Sequence, residues 1–223
     1  SEKKGLYFNL TTNLQEKFKK SKFLEALQDH CMGTENEKVY ELEQSKLKII
    51  KSYPFIYWIS DEFREKFNGD SVKDILKNCQ GLATADNNRF LRFWWELSDT
   101  TKSDDEKWIP YAKGGPFQKW AGNLWLKVQW ENNGHAIRSF TDEKGKQRSR
   151  PQNESVYFKE GITYSASGSK GPSYRILTEG YIFDVGGSSI FPVKEFKNNF
   201  YTLAIFNSQL SKYIIECLNP TVN

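Results

Sequence analysis

Of the side chains that carry chemistry, only the cations are concentrated in this chain of 223 residues. Between Lys107 and Arg175 stand twelve Lys and Arg against five Asp and Glu, a net of +7 in a chain whose formal charge is +4, so the remaining residues are acidic at −3. The same window holds Trp108, Trp120, Trp125 and Trp130, and breaks rich in Gly, Ser and Asn interrupt it. Cations interleaved with flat amphipathic rings suit a polyanion, because Lys and Arg release condensed counterions from phosphates and Arg can read base edges. The competing reading is a solvated surface whose excess charge keeps a domain in solution.

No catalytic constellation accompanies these cations. His30 and His135 are the two imidazoles, and neither has a His, Cys or carboxylate at a metal-ligand spacing, so no metal site is predicted. Asp104, Asp105 and Glu106 precede Lys107, and a small nuclease could use such acids to hold Mg²⁺. Consecutive residues diverge on a strand and are solvated in a loop, so a loop is predicted. The pairs Gly114-Gly115 and Gly186-Gly187 lack the phosphate-loop pattern and read as tight turns. No catalytic residue is assigned.

Composition bounds the rest. Three scattered cysteines, Cys31, Cys79 and Cys217, argue against a disulfide framework and fit a reducing compartment. Two glycosylation-like triplets, beginning at Asn9 and Asn153, are discounted for that compartment. No apolar run approaches the roughly 20 residues that cross a bilayer, and no signal-like stretch follows Ser1, so no membrane association and a cytoplasmic location are expected. The first residue, Ser1, and the uncapped end at Asn219-Pro220-Thr221-Val222-Asn223 read as those of an excised piece.

The elements expected to position these residues are mixed. Leu14, Phe18, Leu24 and Leu27 recur at near-helical spacing, with Thr12 or Asn13 available as a cap. Ser60-Asp61-Glu62 predicts a second helix start, with Phe63 and Phe67 facing inward. A short helix is predicted from Ser71 to Leu76. From Arg89 to Leu97 the pattern turns bulky and sheet-like, and strands are predicted over 124–130, 161–165 and 175–185, with turns at Asn132-Asn133-Gly134, Lys144-Gly145-Lys146 and Gly186-Gly187-Ser188. Apolar residues from Tyr201 to Leu218 predict one or two closing helices, broken at Asn207-Ser208. The fold class is therefore α+β: a twisted, mainly antiparallel sheet flanked by helices, with a C-terminal helical segment.

Read in order, six blocks are informative: Gln80-Gly81-Leu82-Ala83-Thr84-Ala85-Asp86-Asn87-Asn88-Arg89-Phe90; Lys107 to Gly115; Trp130-Glu131-Asn132-Asn133-Gly134; Ser149-Arg150-Pro151-Gln152-Asn153; Phe158 to Ser165; and Phe183 to Pro192. As an ordered set they resemble the C-terminal portion of the large adenine-specific DNA methyltransferases of BREX phage-defence systems, related to single-chain restriction-modification enzymes. The resemblance spans about residues 52–223. It implies a target recognition domain there, with residues 1–51 a linker or the trailing edge of a methyltransferase core, partly helical. The family's Asn-Pro-Pro-aromatic tetrapeptide is absent, Asn219-Pro220-Thr221 does not replace it, and the glycine-rich S-adenosylmethionine loop is missing. The resemblance thus implies a piece that is non-catalytic alone and holds no cofactor, with S-adenosylmethionine used by the parent. Its implied partners are double-stranded DNA, the upstream methyltransferase domain and other defence-system proteins.

An enzyme that modifies a base rotates it out of the duplex, so another surface must hold the DNA and check the neighbouring bases. Lys113, Lys119, Lys144, Lys146, Lys159 and Lys170 are the candidates for phosphates. Arg138, Arg148, Arg150 and Arg175 are candidates for guanine edges, and Gln152 and Asn153 for adenine. Arg89 and Arg92 could face DNA or tie loops together. Trp120, Trp125 and Trp130 could stack on bases, though rings in a sheet more often belong to the core. The main alternative is a protein-docking module using the apolar C-terminal helices, for which Tyr201, Leu210 and Tyr213 would be exposed together.

Overall fold

A computed structural model describes residues 3–11, 15–51, 54–97, 107–166, 168, 170–193 and 199–218. The chain folds as two compact units, residues 1–71 and 72–223.

In the first unit, β1 (Lys4–Phe8) and β2 (Val39–Glu43) pair antiparallel, with Lys4 opposite Glu43, and α1 (Glu16–Cys31) lies between them in sequence. The helix stands where Phe18, Leu24 and Leu27 predict one, but its fully buried residue is Ala26, while Phe18 and Leu24 are exposed. The step from 18 to 24 is not close to a whole number of turns, so these residues share no single face. The expected caps Thr12 and Asn13, with Leu14, lie outside the described residues. Gln15 occupies the N-cap without a side-chain bond. Tyr57 stacks on Tyr7 at 5.0 Å and donates its hydroxyl to the Phe8 carbonyl at 2.9 Å. Ser60 caps α2 (Asp61–Glu65) as predicted, its oxygen accepting from the Phe63 N–H. Phe63 and Phe67 meet edge-to-face and are half-buried. The buried residue of this helix is Arg64, which donates to the Ile56 carbonyl at 2.8 Å.

The second unit has two four-stranded sheets. One runs in the order β3 (Leu76–Cys79), β10 (Ser189–Pro192), β7 (Gly161–Tyr164), β8 (Tyr174–Leu177); the other runs β4 (Leu91–Phe93), β6 (Leu126–Gln129), β5 (Trp108–Ala112), β9 (Ile182–Phe183). Every pairing is antiparallel except β5 with β9. The α+β class, the mainly antiparallel pairing and the closing helices are therefore as predicted, with the strands divided between sheets. The closing helices are α5 (Asn199–Phe206) and α6 (Gln209–Leu218), and α3 (Asn87–Phe90) and α4 (Glu131–Arg138) precede them. The Asn207 side chain pairs with β8 like a peptide group, accepting from Tyr174 N–H and donating to Tyr174 C=O.

Three local expectations are corrected. The strand predicted over 175–185 is two, β8 in one sheet and β9 in the other, with a turn between them. The helix predicted from Ser71 to Leu76 is a single 3-10 turn over Val72–Asp74, after which Leu76 enters β3. Pairing with β10 overrides local propensity there, and Val72 and Ile75 stay exposed. The bulky run from Arg89 to Leu97 is not one strand. Asp86 caps α3 by accepting from Arg89 N–H, only Leu91–Phe93 is extended, and Trp94–Glu96 turn again.

The core of the second unit includes Leu82, Phe90, Tyr111, Val128, Ile137 and Phe183, all fully buried. The Tyr111 hydroxyl lies 2.7 Å from the Leu82 carbonyl and 2.6 Å from the Asp184 carboxylate, so its single proton is shared between two acceptors. Burial and the adjacent carboxylate push this phenol well above its usual range, which keeps it a donor. The segment from Asn132 to Gly134 holds three successive left-handed residues with φ of 49°, 57° and 73°. Asn and Gly tolerate that conformation best. A Cβ on Gly134 would meet the Trp130 ring at 2.7 Å. Gly134→Ala is expected to lower stability by about 2 kcal/mol, read as a fall in the urea midpoint.

Candidate nucleic-acid interface

Five exposed cations of the second unit, Arg89, Lys144, Lys146, Arg148 and Arg150, lie on a β-hairpin-like segment from Phe140 to Arg150 and the loop it pairs with. Thr141 bridges Gln147, Arg148 N–H donates to Phe140 C=O, and Arg150 and Ala83 exchange backbone bonds at 2.8 and 3.0 Å. The tip is fixed by Asp142, whose carboxylate accepts from the N–H groups of both Lys144 and Lys146 at 2.9 Å. Ser149 is buried and donates its hydroxyl to Ile137 C=O, so its neighbours Arg148 and Arg150 are turned outward on an extended backbone. Arg148 lies over the Phe140 ring at 5.0 Å, and Arg89 lies over the same ring at 5.0 Å. Each guanidinium gains from the ring quadrupole while its donors stay available. No ion pair involves Arg89, Lys144, Lys146, Arg148 or Arg150 among the described residues.

The other predicted contacts are distributed differently. Arg138 is held by Glu154 through both terminal nitrogens, donates from Nε to Asn133 C=O and lies over Trp130 at 5.3 Å. The Glu154 carboxylate raises its pKa further. Lys113 bonds Asn87 Oδ1 at 2.7 Å and faces Asp184 at 3.5 Å. Lys119 donates to the Asn207 carbonyl at 2.7 Å, beyond the end of α5, where the helix dipole favours a cation. Gln152 and Asn153 each donate one amide N–H, to the Gly81 and Gln80 carbonyls, which pins the 80–89 loop to the 150–153 segment. Arg175 is fully buried, its guanidinium bonded to Gln118 C=O, Ser173 C=O and the hydroxyls of Ser165 and Ser173. As placed, each of these six side chains is bonded within the fold. Lys159 and Lys170 are exposed.

Among the tryptophans, Trp108 and Trp130 belong to the core and Trp125 is half-buried. Trp120 is 53% exposed with φ of 78°, an uncommon conformation for a bulky residue. A second exposed aromatic group consists of Phe93 stacked on Trp95 at 4.5 Å with Trp94 edge-on beside it. Arg89 and Arg92 are the candidates that sequence left undecided: Arg89 shares the Phe140 ring with Arg148, while Arg92 donates to the Asn88 and Leu91 carbonyls and lies over Trp108 at 5.5 Å. Asp104, Asp105 and Glu106 lie outside the described residues, and those residues contain no cluster of His, Cys, Asp and Glu able to hold a metal ion. No described helix is long and apolar enough to cross a membrane.

Comparison with known proteins finds relatives of the chain among adenine-specific methyltransferases. The adenine-specific methyltransferase PglX of Lacticaseibacillus casei (strain Zhang) is 34% identical over 231 aligned residues, covering 98% of this chain and 19% of that protein. The adenine-specific methyltransferase BrxX of Escherichia coli O9:H4 (strain HS) is 31% identical over 189 residues, covering 81% of this chain and 15% of that protein. The chain is related to a segment of these adenine-specific methyltransferases. It spans less than a fifth of the length of either relative. No family model matches the chain. The resemblance carried by the six ordered blocks is thereby borne out.

Proposed function

We propose that this chain is a DNA sequence recognition module of an adenine-specific DNA methyltransferase of a phage-defence or restriction-modification system, with catalysis and S-adenosylmethionine binding carried by other segments of the parent. The observation that carries the reading is the ridge formed by Arg89, Lys144, Lys146, Arg148 and Arg150, exposed cations without a paired acid among the described residues. Lysines at the tip supply phosphate contacts, while arginines steadied over Phe140 reach base edges. The test is methylation-site sequencing of cells carrying the full-length parent with Arg89, Arg148 or Arg150 changed to Ala. The expected result is a relaxed or lost target sequence at unchanged protein level, because one bidentate contact discriminates by about 1–3 kcal/mol. An unaltered set of methylated sites would reject the ridge as the reader.

A second reading, docking on another protein of the same system, is favoured by one feature. Phe200, Tyr201, Leu210 and Tyr213 on α5 and α6 are exposed by 44–67%, and exposed apolar side chains that form one patch mark a docking surface. The two roles use different residues of the second unit.

A further inference from the structure

The second unit contains a buried cation whose charge no acid balances among the described residues. Arg175 is 0% exposed, and its four acceptors are uncharged: two carbonyls and two hydroxyls at 3.1–3.3 Å. Its Nε–H has no acceptor among the described residues. Taking a guanidinium out of water without a counter-charge is unfavourable, and interiors normally supply a carboxylate. Burial lowers its pKa, with no acid opposing the shift. Among the described residues, none supplies the missing counter-charge.

Beside this guanidinium is a cleft of about 290 Å³ whose wall includes Ser165 and Ser173, the two hydroxyls that Arg175 touches. Their bonding differs. Ser165 accepts from Gly115 N–H and Arg175 and gives its own proton to Gly115 C=O, so it is complete. Ser173 accepts from Gln118 N–H at 3.4 Å and from Arg175 at 3.3 Å, while its own O–H has no acceptor among the described residues. A hydroxyl loaded with two donors, one of them cationic, is polarised to donate its remaining proton. The exposed Lys170 lines the same cleft and forms no ion pair among the described residues, and none of the residues lining it is acidic. A Cβ at Gly168 or Gly171 would meet nothing within 4 Å, so the rim is open.

We infer that this cleft binds one phosphate group, with Lys170 and the Ser173 hydroxyl as direct donors and Arg175 acting through Ser173, and that the phosphate belongs to a DNA backbone. The choice of DNA as the source rests on the recognition reading above; the chemistry of the cleft does not. Arg175 is thereby reassigned from base reader to positioning residue, polarising Ser173 and supplying charge from behind.

The experiment is a titration of the 223-residue chain with inorganic phosphate at constant ionic strength, followed by NMR of the Lys170, Gly171 and Ser173 amides and the Arg175 Nε–H, then repeated with a short DNA duplex. Saturable shifts at these groups are expected, with the duplex displacing phosphate. Lys170→Ala, a surface change that leaves the fold intact, is expected to weaken phosphate binding about tenfold, the scale of one charged hydrogen bond. Absence of saturable shifts at these groups, or unchanged affinity in Lys170→Ala, overturns the cleft as a phosphate site. Duplex binding that leaves these resonances unmoved overturns the inference while DNA recognition stands. Phosphate binding by a chain that binds no duplex overturns DNA recognition and leaves the cleft to another phosphorylated ligand.

Discussion

Replacing Lys144, Lys146, Arg148 and Arg150 together by alanine is expected to flatten the salt dependence of duplex binding, lowering the log–log slope by up to about 3.6, or about 0.9 for each phosphate the protein ceases to neutralise. The four side chains are exposed, so their removal leaves no buried group unsatisfied and the fold should persist. Some of the four would read bases instead, and each such residue would reduce the slope change while sharpening the loss of sequence preference. The contrast that makes the result specific is Lys119→Gln. Lys119 also lies in the basic window, but its ammonium is bonded to the Asn207 carbonyl at the end of α5. That substitution is expected to lower thermal stability and leave the slope unchanged. Fluorescence anisotropy between about 50 and 200 mM salt, the range over which such binding changes most, reads both. An identical slope in the fourfold variant would remove the hairpin from the interface.

Gly81→Ala is expected to destabilise the second unit by about 3 kcal/mol, at the upper end of what overpacking costs. A Cβ at this position would stand 1.8 Å from the Phe183 carbonyl oxygen and 2.5 Å from its carbon. Backbone, unlike the end of a flexible side chain, cannot step aside without breaking the Leu82 N–H to Phe183 C=O bond at 2.8 Å. The same approach holds Gly81 C=O where Gln152 donates to it, so the 80–89 loop that carries Arg89 would shift with it. Against a total stability of about 5–15 kcal/mol, a loss of this size is a large fraction. It should appear as a lowered urea midpoint at unchanged m-value, accompanied by weakened DNA binding through the displaced ridge. A midpoint equal to that of the unsubstituted chain would show that the loop and β9 can separate freely.

The amino-acid sequence by itself determined the α+β class, the closing helices, the Ser60 cap and the glycine turns, because each depends on neighbours within a few positions. A hydroxyl before Asp61 caps α2 wherever that helix sits, and Asn132-Asn133-Gly134 can turn left-handed because of its own side chains. The ordered blocks also pointed to the kind of protein found among the relatives, one of them 34% identical over 98% of this chain. Sequence further localised the basic window, but not which of its members reach solvent. That division was decided by contacts between residues far apart in the chain. Arg138 and Arg148 are the same residue type in the same window, yet one is clasped by Glu154 and the other rests on Phe140. Gln152 finds a carbonyl 71 positions away, and Arg175 is enclosed by groups from 118, 165 and 173. Charge is a property of composition, but the availability of a charge depends on burial and on its partners. Only the tertiary structure brings those partners within a few ångströms.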